Sequence, residues 1–255
     1  MMATDSRVTL QPAYLIHQRP YRETSALLEV FTPEHGKIGL VARGIKGARG
    51  RWRGLLQPFR PLLLSWRGRG GLATLTDAEP SGLALGLSGE QILNGFYLNE
   101  LLQRLLHRDD PHLELFGAYD HALRRLAALP PAPGAAAEKQ QQLRLFEVRL
   151  LEAIGYGIIL DREAGTGAPI SAERLYSYRM DGGPVSWQPE QAGIRVHGRT
   201  LQALQQGTLD DEQSRHEARN LLRAMLQGQL GDRPLHSREL VRQVNRVVQL
   251  AETGG

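Results

Sequence analysis

The chain has 255 residues, of which 41% are hydrophobic and 23% charged, a globular composition that excludes wholesale disorder. It contains no cysteine, which excludes a disulfide framework, a thiol nucleophile and a cysteine-ligated zinc site. The formal net charge is only +4 at pH 7, so the balance of charge alone indicates no particular partner. The sequence shows no secretory signal and no apolar run long enough for a membrane span, so we expect a cytoplasmic protein.

The N-terminal part of the chain is predicted to be a small β-structure. Five short apolar or alternating runs, each bounded by Pro or Gly, predict strands at 13–18, 25–32, 37–43, 59–67 and 72–79. A long, glycine-rich loop follows the third run. Five strands with such a loop favour a five-stranded barrel of the OB type over a sandwich, and we assign this domain to residues 1–82.

Positive charge is concentrated in this predicted barrel. Of the 31 Lys and Arg residues, nine lie between Lys37 and Thr76, a stretch without Asp or Glu. The other 22 stand against all 27 acidic residues of the chain, so the remainder is net negative. Such segregation attracts anionic partners. The nine cations are Lys37, Arg43, Lys46, Arg49, Arg51, Arg53, Arg60, Arg67 and Arg69. We call the stretch from Lys37 to Thr76 the basic segment.

Three aromatic residues lie within the basic segment. Single-stranded nucleic acid is bound by cations that follow its phosphates and by flat side chains that stack on its bases. Phe59 and Trp66 follow an apolar strand pattern and are predicted to be core residues. Trp52 lies between two arginines in the glycine-rich loop and is predicted to be exposed and to stack on a base. The nine cations and Trp52 thus form a predicted DNA- or RNA-binding surface.

Beyond Pro80 the apolar residues recur with the period of a helix. Helices are predicted at 88–108, with Ser88 as the N-cap, at 112–129, and at 138–154 with Gly155 behind its end. Residues 156–198 are rich in glycine and weakly patterned, and two more helices are predicted at about 209–230 and 236–251. The prediction is an α+β protein whose second domain, residues 83–255, is all-α apart from this irregular segment.

No enzyme motif is found. A phosphate-binding P-loop needs a Lys and a Ser or Thr that "GIKGARGRW" does not supply, and no G-x-S-x-G elbow occurs. His107, His112 and His121 lie near one another in the sequence without the spacing of a zinc site. We therefore expect no enzymatic activity, no catalytic residue and no metal site.

Five blocks follow one another along the chain: "RPYRETSALLEVFTPEHGKIGLVARGIKG", "LQPFRPLLLSWRGRGGLATLTDAE", "YLNELL", "LRLFEVRLLEAIGYG" and "PLHSREL". Together they resemble the RecO family of bacterial recombination mediators. The resemblance implies an OB fold, a helical domain and a role in DNA repair through the RecF pathway. It implies binding to single- and double-stranded DNA and annealing of complementary strands. With RecR, such a protein helps to load RecA onto gapped DNA coated by single-stranded-DNA-binding protein.

The same resemblance bears on residues 156–198. Many RecO proteins carry a four-cysteine zinc module after the position of Gly155. This chain keeps the surrounding pattern, "AGTGAPI" and "DGGPVSW", with no cysteine. The resemblance therefore implies a Cys-less zinc-module-like insert that is held by packing alone, and no zinc or other cofactor.

The acidic tail of single-stranded-DNA-binding protein is a further partner that the resemblance implies. A receptor for it is expected to pair an apolar groove with cations. The candidate residues are Arg124, Arg125, Leu143, Arg144, Phe146 and Leu150. Arg144 comes from the family's "LR-x-FE" block, while an apolar stripe that is simply core stays open as the alternative.

Four further expectations complete the prediction. We expect a monomer that contacts RecA only indirectly, has no membrane association and lies at the nucleoid. From the residues alone, an OB-fold RNA-binding protein and a basic adaptor for an acidic protein stay open as alternatives. Competition between DNA and RNA, and binding after nuclease treatment, would separate these alternatives.

Overall fold

The structure is a computed structural model that describes residues 7–45, 52, 54–68, 71–130, 133–190, 192–237 and 239–240. Its contacts divide the chain into two compact units. The first unit comprises residues 1–127 and 234–255, and the second comprises residues 128–233. None of the helices in the described part of the chain is both long and apolar enough to cross a membrane.

Five strands of the first unit close into a barrel. They are β1 (Arg7–Tyr21), β2 (Ser25–Thr32), β3 (Gly36–Ala42), β4 (Leu62–Arg67) and β5 (Ala73–Pro80), in the order β1-β2-β3-β5-β4. Neighbouring strands are antiparallel, except that β3 and β5 pair in parallel. The long β1 has register shifts on both sides and pairs with both β2 and β4, which closes the sheet. The predicted five-stranded barrel is confirmed.

The barrel interior is filled by alternate apolar residues, since successive side chains of a strand point to opposite faces. Leu28, Leu40 and Leu64 are at most 1% exposed and belong to one apolar cluster. On the outer face of the sheet, Tyr14 meets Tyr119 of the following helical segment edge-on, with ring centroids 5.2 Å apart. The barrel is thus packed on the inside and covered on one outer face.

Two helices complete the described core of the first unit, α1 (Glu90–Leu105) and α2 (Leu113–Ala128). The predicted N-cap of α1 is wrong by one residue, because Gly89 takes that position with a φ of 52°. Ser88 instead bonds the side chain of Gln91 through its hydroxyl, at 3.2 Å.

The loop between α1 and α2 docks on β3. The backbone N–H of Asp109 donates to the carbonyl of Lys37 at 3.1 Å. Gly36, with a φ of 63°, has no room for a side chain, because a Cβ there would lie 1.8 Å from the carbonyl oxygen of Asp110. Arg108 bonds the Glu29 carboxylate and the Gly71 carbonyl, so this loop links β2, β3 and the start of β5.

The second unit contains three longer helices, α3 (Ala136–Ala153), α4 (Gly198–Gln206) and α5 (Glu212–Leu230), and a 3-10 turn at Pro133–Ala135. The predicted third helix is α3, and the helix predicted at 209–230 is α5. Asp211 caps α5 by accepting the Ser214 N–H at 2.8 Å. None of the predicted helices corresponds to α4. The helix predicted at 236–251 lies mostly outside the described residues.

A three-stranded antiparallel sheet lies in the segment predicted to be irregular. Its strands are β6 (Leu175–Arg179), β7 (Gly183–Ser186) and β8 (Ile194–His197), in the order β7-β6-β8. The prediction of an irregular segment is therefore wrong here. Each strand has only four or five residues, too few for an alternating pattern to stand out from glycine-rich surroundings.

A buried carboxylate ties a turn to this small sheet. Glu163 accepts the Ser186 N–H at 2.7 Å through Oε1 and the Thr166 hydroxyl at 3.0 Å through Oε2. These hydrogen bonds hold the pKa of Glu163 below its ordinary value. The expectation that the segment is held by packing alone is therefore wrong, because hydrogen bonds to one carboxylate join the 163–168 turn to β7. Among the described residues, no group of three or more His, Asp or Glu is placed to hold a metal ion.

A second carboxylate joins β8, α4 and α5. Glu217 of α5 accepts the His197 N–H at 2.9 Å and the Thr200 hydroxyl at 2.7 Å, and its other oxygen lies 2.6 Å from His197 Nδ1. Burial alone would raise the pKa of Glu217, but the hydrogen bonds from His197 and Thr200 outweigh it and the pKa is lowered. The first turn of α4 is thereby fixed to α5.

Candidate nucleic-acid interface

The basic segment begins in β3, continues through the loop between β3 and β4, and ends in β5. Four of its nine cations are described: Lys37, Arg43, Arg60 and Arg67. The other five, Lys46, Arg49, Arg51, Arg53 and Arg69, lie outside the described residues, so their predicted role stays a prediction.

Trp52 is buried, and the prediction that it is exposed is wrong. The side chain is 4% exposed and belongs to the barrel's apolar cluster with Leu56. Its indole Nε1 donates to the carbonyl of Arg43 at 3.0 Å, so the ring's polar atom is satisfied inside. Burying a large apolar ring lowers the free energy of the folded protein, even when two arginines flank the ring in the sequence. Trp52 therefore anchors the loop between β3 and β4, which we call the basic loop, to the barrel.

Lys37 is also turned inward. It is 7% exposed, and its Nζ donates to the carbonyl of Gln103 in α1 at 2.6 Å. Burial lowers the pKa of Lys37. The structure thus uses this cation to join β3 to α1, and it does not present it on the surface.

The other three described cations lie nearer to solvent. Arg43 and Arg67 are exposed. Arg60 is half-buried, and its Nη1 donates to the carbonyl of Gly54 at 2.7 Å, which braces the end of the loop. Arg67 is thus available at the surface of the barrel, while Arg60 is only partly exposed.

Arg7 is a surface cation that sequence reasoning missed. It lies outside the basic segment in the sequence, at the start of β1. Barrel closure pairs β1 with β4 and sets Arg7 opposite Arg67, and directly opposed residues of a strand pair project to the same face. Arg7 is exposed as well. Only the pairing of the first predicted strand with the fourth could have revealed this pair of cations.

The two aromatic residues predicted to be core are buried, as expected. Phe59 is 6% exposed and Trp66 is 4% exposed. The ring of Trp66 meets His35 edge-on with centroids 5.2 Å apart. The ring of Phe59 meets Phe96 of α1 in the same way at 5.1 Å. None of the three aromatic residues of the basic segment therefore offers an open ring face.

A cleft of about 260 Å³ opens beside Trp66. Its walls include Gly39, Gly68 and Gly71, so much of its surface is backbone. Arg108 lines it too, but its guanidinium is held by Glu29 and the Gly71 carbonyl. The cation in this wall is thus already neutralised by a carboxylate of the barrel.

The residues predicted to bind an acidic tail are placed differently in the two units. In the second unit, Leu143, Phe146 and Leu150 of α3 are at most 9% exposed. Arg144 is 8% exposed, and its Nη2 lies 2.5 Å from the Glu147 carboxylate. The apolar stripe on α3 is therefore buried, and the arginine beside it is paired with a carboxylate.

In the first unit, Arg124 and Arg125 of α2 are exposed. Arg124 Nε donates to Asp120 at 2.8 Å, and Asp120 also accepts the Tyr14 hydroxyl at 2.5 Å. Burial alone would raise the pKa of Asp120, but these two hydrogen bonds outweigh it and the pKa is lowered. Of the six predicted tail-binding residues, these two arginines are the ones that solvent reaches.

Comparison with known proteins identifies relatives over nearly the whole chain. The family description Recombination protein O N terminal matches residues 6–83, and Recombination protein O C terminal matches residues 88–239. A protein of Nitrosococcus oceani named DNA repair protein RecO is 54% identical over 242 residues, which cover 94% of this chain and 96% of the relative. Proteins of the same name from Methylococcus capsulatus and Coxiella burnetii are 50% and 40% identical. Those alignments cover 93% and 92% of this chain, and 94% and 98% of the relatives.

Proposed function

We propose, since the chain belongs to the Recombination protein O (RecO) family of DNA repair and recombination proteins, that its basic segment binds DNA and brings complementary strands together. The observation that carries the proposal is a forty-residue stretch of barrel with nine cations and no carboxylate. Arg43 and Arg67 of this stretch are exposed, and Arg7 adds a cation beside Arg67.

The fold supports this proposal through the way in which the loop is held. Trp52 buries its ring in the barrel, and Arg60 bonds the loop backbone at Gly54. Arginines 51 and 53 flank the buried ring in sequence. A loop with a fixed anchor loses less conformational entropy on binding than a free one, so its cations bind phosphates more tightly.

Annealing follows from charge neutralisation. Two DNA strands repel each other, and pairing them requires cations close to both. A cationic barrel surface releases the counterions of the bound strand and reduces its charge, so that a second strand can approach. The action is stoichiometric: the protein lowers the barrier to pairing by binding, and no covalent step is involved.

The loop arginines give the direct test. Replacing Arg49, Arg51 and Arg53 together by Ala should weaken binding to single strands of every sequence alike, by tenfold or more at low salt. The matched control replaces the exposed Arg162, Arg179 and Arg195 of the second unit, which changes the net charge equally. Equal affinity of the two triple variants would contradict the assignment of DNA binding to the loop.

The mediator role is the finer part of the proposal. With RecR, the protein would help to load RecA onto gapped DNA coated by single-stranded-DNA-binding protein, whose acidic tail it would bind. Arg124 and Arg125 are the accessible cations for that tail. Annealing of coated complementary strands should fall when the tail is deleted, and also when both arginines are replaced by Ala. If annealing is the same with and without the tail, the proposed mediator role is wrong, while the proposed DNA binding is unaffected.

A further inference from the structure

Phe96 of α1 presents an aromatic ring to solvent beside the basic segment. It is 40% exposed, and among the described residues of the first unit no other Phe, Tyr or Trp side chain is as exposed. Its ring rests on Phe59, with centroids 5.1 Å apart and planes at 65°. The contact with Phe59 restrains the orientation of the Phe96 ring, and the exposed part of the ring is accessible to a ligand.

The support under this ring is itself firmly held. Phe59 is 6% exposed and has a φ of 61°, which is rare for a bulky residue and requires the surrounding structure to enforce it. Its carbonyl accepts the Leu85 N–H at 3.3 Å. Gly95 makes room for the ring, because a Cβ at that position would lie 2.7 Å from Phe59 Cε1. The aromatic pair is therefore a built feature of the junction between barrel and α1.

The charges around the ring favour an anionic partner. Phe59 is followed directly by Arg60, which bonds the end of the basic loop at Gly54. The carboxylate one turn along α1 from Phe96 belongs to Glu100, and it is already occupied. It accepts the backbone N–H groups of His236 and Ser237, each at 2.9 Å, and lies 4.0 Å from Arg104. The ring therefore lies beside a cationic stretch, and the neighbouring carboxylate on α1 is already hydrogen-bonded.

We propose that Phe96 stacks on an unpaired base of single-stranded DNA whose phosphates lie along the basic segment. The proposal rests on the function proposed above and assigns to Phe96 the contact predicted for Trp52. A base offers a flat face whatever its identity, so the contact should be indifferent to sequence. Bases in a duplex are already stacked on both faces, so the contact should be specific to single strands.

Replacing Phe96 by Ala tests the contact. Affinity for a fluorescent oligo(dT) should fall about fivefold to tenfold, because one base loses its stacking partner. Affinity for a duplex of equal length should stay unchanged. An oligomer of abasic deoxyribose phosphates has the same charge without bases, and its affinity should also be unchanged. Leu113→Ala removes a side chain of α2 that is 69% exposed, and is the matched control with no expected effect.

A second variant separates stacking from a purely structural role. Phe96→Leu keeps an apolar side chain on Phe59 but removes the ring. If Phe96 stacks on a base, Phe96→Leu should bind oligo(dT) as weakly as Phe96→Ala, and Phe96→Trp should bind at least as tightly as the native protein. If the residue only supports Phe59, Leu restores the native affinity and the proposal is overturned.

The outcomes also distinguish this inference from the proposed function. If the triple arginine variant binds weakly and Phe96→Ala binds like the native protein, only the stacking contact is wrong. The same result would favour an acidic peptide as the occupant of this patch. If the triple arginine variant keeps its affinity, the basic segment is not the DNA site, and the proposed function fails with the inference.

Discussion

The two sheets of this protein are held together in different ways. The barrel closes around an apolar cluster in which Leu28, Leu40 and Leu64 are almost fully buried. The small sheet of the second unit has only three short strands. The Glu163 carboxylate accepts a hydrogen bond from the end of β7, and the Glu217 carboxylate accepts one from the end of β8. A sheet with an apolar core does not need its polar side chains for its own stability, so they are available to a ligand. A sheet held by carboxylates needs these polar side chains for its own structure.

The same contrast explains where ligand-binding charge can lie. In the barrel, the basic segment has no acid of its own, and Arg43 and Arg67 reach solvent. In the second unit, Arg144 is buried against Glu147, and Arg149 lies 2.9 Å from Glu152. Arg144 and Arg149 of α3 thus meet carboxylates of their own helix, while the basic segment of the barrel contains no carboxylate.

The largest effect is expected in the barrel core. Leu40→Ala removes a fully buried side chain from the apolar cluster, and should lower the free energy of unfolding of the first unit by about 2–5 kcal/mol. Urea denaturation followed by tryptophan fluorescence measures the loss. Leu72→Ala, at a side chain of the same barrel that is 50% exposed, should change the stability by less than about 1 kcal/mol. Equal losses in both variants would contradict the assigned core.

The hydrogen bonds of Glu163 give the next largest effect. Glu163→Gln removes the charge that strengthens the bonds from Ser186 and Thr166, so the Ser186 amide should lose protection from hydrogen exchange by about tenfold at pH 7. The matched control is Glu190→Gln, at an exposed position of the same segment. Native-like protection in Glu163→Gln would show that packing holds the turn.

The pH dependence of this contact has a definite sign. The folded pKa of Glu163 lies below its ordinary value of 4.5, so its stabilisation is fully present above about pH 4.5. It is lost as the pH falls through the folded pKa, where the native carboxylate takes up a proton. The difference in protection between the native protein and Glu163→Gln should therefore become smaller as the pH falls below 4.5. A difference that stays constant would contradict this pH dependence.

The smallest effect concerns the anchor of the basic loop. Trp52→Phe keeps a buried ring but removes the hydrogen bond to the Arg43 carbonyl, which should cost about 1 kcal/mol of stability. Cleavage by trypsin within the loop should become faster, while the affinity for oligo(dT) should fall far less than in the triple arginine variant. A loss as large as in that variant would mean that the indole itself touches DNA.

The barrel was predictable because its strands are long enough to show their pattern. Every predicted strand from 13–18 to 72–79 overlaps an observed one, and Phe59 and Trp66 are buried as predicted. The sheet at 175–197 was not predictable, since its strands are short and its supports lie at distant positions such as Glu163 and Glu217.

The candidate site was only partly predictable. The cluster of cations was visible in the sequence, but the direction of each side chain was not. Trp52 and Lys37 turn inward because the barrel and α1 offer them a carbonyl partner, and no local pattern shows such a partner. Arg7 and Phe96 join the site through strand pairing and helix packing, which are contacts between residues far apart in the chain.

The most direct test of the central claim is the salt dependence of oligo(dT) binding by the native protein and by the triple variant of Arg49, Arg51 and Arg53. If about five phosphates are neutralised, the logarithm of the binding constant should fall against the logarithm of salt concentration with a slope near −3.5. Without three of these contacts, the slope should shrink to about −1.4. A flat response of the native protein, or equal slopes for both proteins, would contradict DNA binding through the basic segment.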